Sequence, residues 1–175
     1  MILGLERVAS PIGPVLLVSD GRSLLALEFD EPEERLLPLL RRRFGSSLLL
    51  REAVTGFAPA LRAYFNGALE ALDGWPLDPG GTPFQQRCWA ALRAIPAGQT
   101  RSYGRVAADL GLPRAARAVG LANALNPVSI AIPCHRLVGH DGALTGYGGG
   151  LERKRWLLRH EAASMGSTVD GASVS

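Results

Sequence analysis

Apolar residues along the first third of the chain come in short runs broken by turn residues, the pattern of antiparallel strands. Leu3 to Val8 is followed by the turn Ser10-Pro11-Ile12-Gly13-Pro14, the apolar run Val15 to Val18, the Asp20-Gly21 turn and the run Leu24 to Phe29. Asp-Gly between two apolar runs is a strong hairpin signal, because both residues tolerate the left-handed backbone of a tight reversal. The period then lengthens. Pro32 to Phe44 reads as a helix, with Pro38 as its flaw and expected kink point. Phe57 to Phe65 reads as a second helix, opened near Thr55 and closed by Asn66-Gly67.

Trp75 to Pro83 is dense in proline and glycine and reads as a linker, dividing the chain into residues 1–80 and 81–163. Beyond it, Thr82 caps a helix that has Pro83 at its first position and runs to about Ile95, where Pro96-Ala97-Gly98 breaks it. Ser102 caps a short helix, Tyr103 to Leu110, ended by Gly111; Pro113 opens another, Arg114 to about Leu125. Two short helices around a tight glycine turn read as a helix-turn-helix, although many helical hairpins share the pattern. The apolar run Val128 to Ile132 then leads into Pro133-Cys134-His135-Arg136. His140-Asp141-Gly142-Ala143 reads as a hairpin tip and candidate wing, Gly146 to Gly150 as a loop that can hug a ligand, and Leu151 to Glu161 as a closing helix. Residues 164–175 are small and polar and are expected to be a disordered tail.

Composition narrows what such a chain does. The 175 residues are 47% hydrophobic, enough for a real core. No apolar run reaches the roughly 18–20 residues that span a bilayer. Met1 opens directly into a strand-like segment without a secretory signal, so a cytoplasmic protein with no membrane partner is expected. Two cysteines, Cys88 and Cys134, are too few for a disulfide framework or a four-cysteine zinc site. No set of three or four ligands has a metal-binding spacing, and no metal is expected. The net charge of +3 is unevenly spread: residues 1–80 hold 8 Arg against 11 acidic side chains, and residues 81–175 hold 11 Arg and Lys against 5. The second part is the one suited to a polyanion, although a merely solvated arginine-rich surface has the same composition.

Cys134 is the candidate nucleophile. Only the thiolate attacks well, and His135 and Arg136 beside it would both favour ionisation. The competing reading is an inert buried cysteine at the end of a strand, the common fate of free cysteine. Neighbours on a regular strand face opposite ways, so Cys134 and His135 cooperate only if the chain turns there. Cys88 has no neighbouring histidine and reads as core. His140 reads as solvated, and His160 as a complement to a helix dipole. Glu161 gains a role only if the closing helix packs against Cys134 and His135. Arg114 and Arg117 sit among Ala115, Ala116, Ala118, Gly120 and Ala122. Such a helix suits close packing on its own protein or a nucleic-acid groove entered by arginine, and residue types leave both open.

Arg117-Ala118-Val119-Gly120, Asn126-Pro127 and Ile130-Ala131-Ile132-Pro133-Cys134-His135-Arg136 together resemble the 6-O-alkylguanine-DNA alkyltransferases. The resemblance extends upstream through Gly81 to Gln85 and Ser102-Tyr103-Gly104, and downstream through Leu144 to Gly149 and Trp156-Leu157-Leu158 to Glu161. Ser10 to Pro14 and Ala63 to Gly67 match more weakly. The resemblance implies an α+β fold: an N-terminal ribonuclease-H-like α/β domain followed by a C-terminal winged-helix-like (helix-turn-helix) domain. It implies direct-reversal repair, in which a methyl group passes from the 6-oxygen of guanine, flipped out of double-stranded DNA, to Cys134. It further implies one turnover per molecule, by a monomer with no cofactor.

On that resemblance His135 activates Cys134 through a water, Glu161 orients His135, and Asn126 braces the turn between the DNA-binding helix and the reactive residue. Tyr103 crowds the DNA backbone and contacts the lesion base, and Arg117 fills the gap the base leaves. Ala118, Gly120, Arg114 and Arg136 complete the expected DNA contact; Tyr147 and the backbone of Val138 and Gly148 form the base pocket with Cys134. Gly148 stands where some relatives have serine, a change that spares the backbone amide. The cysteine-rich regulatory extension of some bacterial members has no counterpart, so self-regulated transcription is not expected. A winged-helix DNA-binding or lesion-sensing protein without alkyl transfer, and a cysteine hydrolase using Cys134 and His135, are the alternatives.

Overall fold

The computed structural model describes the backbone of residues 1–30 and 33–173, and the side chains of these except 33–35 and 166–173. The expected strands form where the apolar runs lie: β1 (Ile2–Val8), β2 (Val15–Ser19) and β3 (Leu24–Phe29). Helix α1 (Glu33–Phe44) carries Pro38 in its interior, and its expected start at Pro32 lies outside the described residues. A short strand not anticipated from the sequence, β4 (Leu49–Glu52), follows and pairs parallel with β1, giving the sheet order β3-β2-β1-β4. Its Leu-Leu-Arg-Glu is mostly exposed, so it has no alternation to betray it. Helix α2 (Ala58–Phe65) comes next; its N-cap is Phe57, whose amide donates to the Thr55 hydroxyl.

Strands β2 and β3 are buried throughout, because the sheet is covered on both faces. Leu16 and Val18 join Leu36, Leu40 and Leu48 on the α1 side. Val15 and Leu17 join a larger core that continues through Leu61 and Tyr64 of α2 into Cys88, Val119 and Leu157 of the second half. One continuous interior therefore spans the linker.

The second half contains α3 (Pro83–Arg93), β5 (Arg101–Ser102), α4 (Tyr103–Asp109), α5 (Ala116–Ala124), β6 (Leu137–Val138) and α6 (Leu151–Ser173). Thr82 and Gln85 form a reciprocal capping box on α3, and the Ser102 hydroxyl caps α4. Helices α4 and α5 are the helix-turn-helix. Arg114 lies in the turn before α5 rather than on it. At the wing position Gly139 and Ala143 close a turn, with the Gly139 amide donating to the Ala143 carbonyl at 2.8 Å. Among the described residues no strand follows it, and β6 pairs instead, in parallel, with β5. Helix α6 runs past the expected end of the closing helix at Glu161 as far as Ser173, and Ala162, Ala163, Ser164 and Met165 offer no proline to stop it. No described helix is long and apolar enough to cross a membrane.

The outer edge of β3 ties the halves together. Leu24 exchanges backbone hydrogen bonds with Pro76 and Asp78 of the linker, and Leu27 with Pro127 and Ser129, just upstream of Cys134. The segment that carries Cys134 is thus hung on the N-terminal sheet.

Candidate active site

Residues 128–136 do not form the strand that their apolar character suggests. Only Val128 makes a bridge, to Leu27, and the chain then coils into a 3-10 turn at Cys134–Arg136. The coil has a cost: Ile130, a β-branched residue, adopts φ 69°, a conformation worth on the order of 1–3 kcal/mol of strain. Asn126 holds it. Its side-chain amide donates to the Ile132 carbonyl at 2.9 Å, and its side-chain oxygen accepts from the Val128 amide at 2.9 Å. These bonds hold the backbone out of the strand conformation just before Cys134 and His135.

Behind the turn lies a buried polar cluster centred on Glu161. Lys154, Leu157 and Glu161 fall on one face of α6, all fully buried. Glu161 Oε2 accepts from His135 Nε2 at 2.9 Å, Arg136 Nη2 at 2.8 Å and the Tyr64 hydroxyl at 2.7 Å, while Oε1 accepts from Arg136 Nε at 2.9 Å. Burial pushes the carboxyl up, but His135 and Arg136 more than reverse this and hold it far below the ordinary range. Glu161 is therefore ionised, and His135 Nε2 carries the proton facing it. Burial keeps His135 below its ordinary value although Glu161 opposes. A neutral ring with its proton on Nε2 has its lone pair on Nδ1, which is buried and has no hydrogen-bond partner among the described residues. That nitrogen can take a proton.

Cys134, 4% exposed, lines a cleft of about 310 Å³ together with Tyr103, Gly120, Asn123, Ser129, Tyr147 and Gly148, within the size range of small-molecule sites. The Tyr147 hydroxyl is buried, and burial, then Cys134, raise it well above the usual phenol range; it stays protonated. Across the mouth the Thr145 hydroxyl meets that of Tyr103 at 3.1 Å. Lys154 fixes the loop from behind: its ammonium donates to the carbonyls of Leu137 and Thr145, both at 2.6 Å. Gly149 is required by packing, since a Cβ there would lie 2.5 Å from the Phe29 ring.

Tyr103, Gly120, Tyr147 and Gly148 thus meet Cys134 at one cleft. Arg114, Arg117 and Ala118 are exposed beside it, on and before α5. Two expected site residues stand elsewhere. Arg136, expected on DNA, is buried: it grips Glu161 with two nitrogens and donates to the Ile95 carbonyl at 2.6 Å, so it compensates charge inside the protein. Val138, expected in the base pocket, pairs with Ser102 in the β5/β6 ladder and does not line the cleft. His160, read as a helix-end residue, lies mid-helix; its Nε2 meets the Tyr64 carbonyl at 2.8 Å and its ring stacks on Trp156. Tyr64 and Lys154 were not singled out from the sequence. An isolated tyrosine or lysine in an amphipathic helix carries no mark of its partner; the spacing of Lys154, Leu157 and Glu161 is the one usable signal.

A thiol on a cleft, an imidazole beside it and a carboxylate behind, built next to a helix-turn-helix, define a cysteine-nucleophile protein with a nucleic-acid-binding type of domain. The comparisons with known proteins give the family. Residues 6–79 match the model of the 6-O-methylguanine DNA methyltransferase ribonuclease-like domain, and residues 83–163 that of the 6-O-methylguanine DNA methyltransferase DNA-binding domain. The chain belongs to this family. It is 48% identical over 160 residues to a methylated-DNA–protein-cysteine methyltransferase of Salmonella typhimurium, covering 89% of this chain and 94% of that protein. It is 46% identical to the protein of the same name from Methanosarcina barkeri, covering 91% and 98%. Among solved structures, Mycobacterium tuberculosis OGT in complex with DNA superposes with a TM-score of 0.78 at 42% identity, covering 94% of both chains. Among the described residues no cluster of three or more His, Cys, Asp and Glu could hold a metal ion.

Proposed function

We propose that the chain is a methylated-DNA–protein-cysteine methyltransferase that repairs double-stranded DNA by direct reversal, moving a methyl group from the 6-oxygen of guanine to Cys134. The observation that carries the reading is Cys134 on a cleft beside His135, whose free nitrogen is made basic by Glu161. The thiol proton passes to His135. Sulfur then forms a bond to the methyl carbon, the carbon–oxygen electron pair stays with guanine, and guanine takes back a proton. A soft sulfur suits displacement at an unhindered carbon, and donors around the departing oxygen stabilise its growing charge. The Tyr103 hydroxyl and Gly148 amide are the candidates.

The reacting atom is stacked inside duplex DNA, so the base has to be flipped out, at a cost of a few kcal/mol that a poorly pairing base lowers. Tyr103, Arg114, Arg117, Ala118 and Gly120 are the residues we assign to DNA, with Arg117 occupying the vacated stack. Residues 1–80 act as scaffold and residues 81–163 carry the DNA contact and the chemistry. The thioether product is stable, so each molecule turns over once, as a cytoplasmic monomer without a cofactor. Excess duplex carrying 6-O-methylguanine tests this. Transfer is expected to stop at one equivalent, with the tryptic peptide containing Cys134 one methylene heavier. Continued release of guanine, or methyl on another residue, contradicts it.

A further inference from the structure

The chemistry is assigned to the second half of the chain, yet one donor to its carboxylate comes from the first. Tyr64 belongs to α2, is 1% exposed, and places its hydroxyl 2.7 Å from Glu161 Oε2, the oxygen that also holds His135 Nε2. Its ring is fixed by edge contacts to Phe65 and His160, with centroids 5.4 and 5.3 Å away. Its carbonyl is held by His160 Nε2, one residue before Glu161. The carboxylate is therefore shared between an arginine, a tyrosine and the histidine that serves Cys134.

We propose that Tyr64 is a positioning residue for alkyl transfer: its hydroxyl holds the Glu161 carboxylate and weakens it as an acceptor, which sets how readily His135 takes the Cys134 proton. The proposal rests on Cys134 being the methyl acceptor. The sign follows from competition at one oxygen. A donor on Oε2 draws off charge that would otherwise favour the imidazolium, so Tyr64 keeps His135 neutral and basic to lower pH. The other groups facing this pair are fixed in both cases: Arg136 from the 3-10 turn, Lys154 and His160 from α6, and Tyr147 on the cleft side of Cys134. Burial, then Glu161, push the Tyr64 hydroxyl well above its ordinary range, so it remains a donor throughout.

Tyr64→Phe keeps the ring and removes the donor. In the full chain, methyl transfer from a duplex carrying 6-O-methylguanine would be followed from mildly acidic to mildly alkaline pH. The acid limb of the rate profile should move up by roughly half a unit to one unit, less than the full weight of a hydrogen bond to a charged group because Tyr64 acts on His135 only through Glu161. Below the midpoint the variant then runs about three- to tenfold slower. In a Glu161→Gln background the same change should no longer move the limb. A fluorinated tyrosine at position 64, a stronger donor of nearly the same shape, should move it the other way and covers the case in which the phenylalanine variant folds poorly. A profile that only scales down, or a shift that survives Glu161→Gln, overturns the proposal. Alkylation of Cys134 by iodoacetamide, without DNA, would be run across the same pH range. If the wild-type chain takes no methyl from DNA, the assigned reaction falls, while the iodoacetamide series still decides the part played by Tyr64.

Discussion

Neither Cys88 nor Cys134 forms a disulfide, and the two are almost equally buried, at 1% and 4% exposure. Cys88 sits on α3 between turns of apolar packing that include Trp89 and Leu92; burial pushes its thiol up and Arg87 only partly opposes. Cys134 sits on a 3-10 turn held open toward a cleft, with His135 as its chain neighbour and Glu161 behind. The exposed fraction does not separate the two. What separates them is a cleft that Cys134 lines and a neighbouring histidine held by a buried carboxylate, and both stand where the backbone has left the strand conformation.

The sharpest test replaces each thiol group by hydrogen, one cysteine at a time. Cys134→Ala should abolish methyl transfer, read as loss of the mass shift on the Cys134 peptide, while the protein still binds duplex DNA. Cys88→Ala should transfer a full equivalent and lose only about 1 kcal/mol of stability from the small void it leaves. Transfer retained by Cys134→Ala, or lost in a folded Cys88→Ala protein, breaks the comparison.

The next largest effect concerns the carboxylate. Glu161→Gln leaves Arg136 buried without its counter-charge, and breaking such a pair costs about 3–5 kcal/mol. In the wild-type chain two groups make stability fall on acidification. His135 lies below its ordinary 6.5, so its contribution, full above 6.5, is lost as the pH falls toward its folded value. Glu161 lies below its ordinary 4.5, so its larger contribution is present above 4.5 and is lost below it. Chemical denaturation at a series of pH values should therefore show the loss below 4.5 reduced in Glu161→Gln and unchanged in Cys88→Ala. Equal slopes in all three proteins would remove Glu161 from the account.

How much of this was legible beforehand follows the range of the interaction. The hairpin at Asp20-Gly21, the Thr82 and Ser102 caps and the helix-turn-helix are set by residues within a few positions of one another, and local pattern found them. Cys134, His135 and Glu161 stand out by residue type, and Asn126 and Tyr103 only by motif resemblance; the structure sets Tyr103 at the cleft with Cys134, bonds His135 to Glu161 and anchors the turn on Asn126. The failures are contacts between distant segments. Arg136 read as a DNA contact because an arginine next to a reactive cysteine looks exposed until Glu161, 25 positions on, is packed against it. Strand β4 forms because β1 offers an edge, which its own residues do not reveal. Tyr64 reaches Glu161 across 97 positions, and its place in the weakly matching stretch Ala63 to Gly67 does not reveal that partner.

Asn126→Ala should have an intermediate effect confined to the Cys134 side. It removes the partner of the buried Val128 amide, at about 1–3 kcal/mol, takes one of two donors from the Ile132 carbonyl, which keeps the Cys134 amide, and frees Ile130 from its left-handed conformation. Hydrogen exchange should quicken at the amides of Val128, Ile132 and Cys134, and transfer should slow, while the α3 amides around Cys88 keep their protection. Uniform loss of protection would mean that Asn126 supports the whole core rather than the turn.

The smallest expected effect lies outside both sulfur environments, on the exposed face of α5. Arg117 is exposed, so Arg117→Ala should leave stability within about 0.5 kcal/mol of wild type. Its assigned task is to hold the place of an extruded base, and it should therefore matter only when a base has to be extruded. If it supplies about 1.4 kcal/mol of the few kcal/mol that flipping costs, transfer from duplex DNA slows about tenfold. Transfer from the free base 6-O-methylguanine, which needs no flipping, should be unchanged. Arg114→Ala, one step away in the preceding turn, provides the contrast: a phosphate contact there would lower the salt dependence of DNA binding by about one counterion. Equal slowing with duplex and with free base would place Arg117 in the chemistry at Cys134 instead, and the division between the reactive cleft and the surface that delivers the base to it would have to be redrawn.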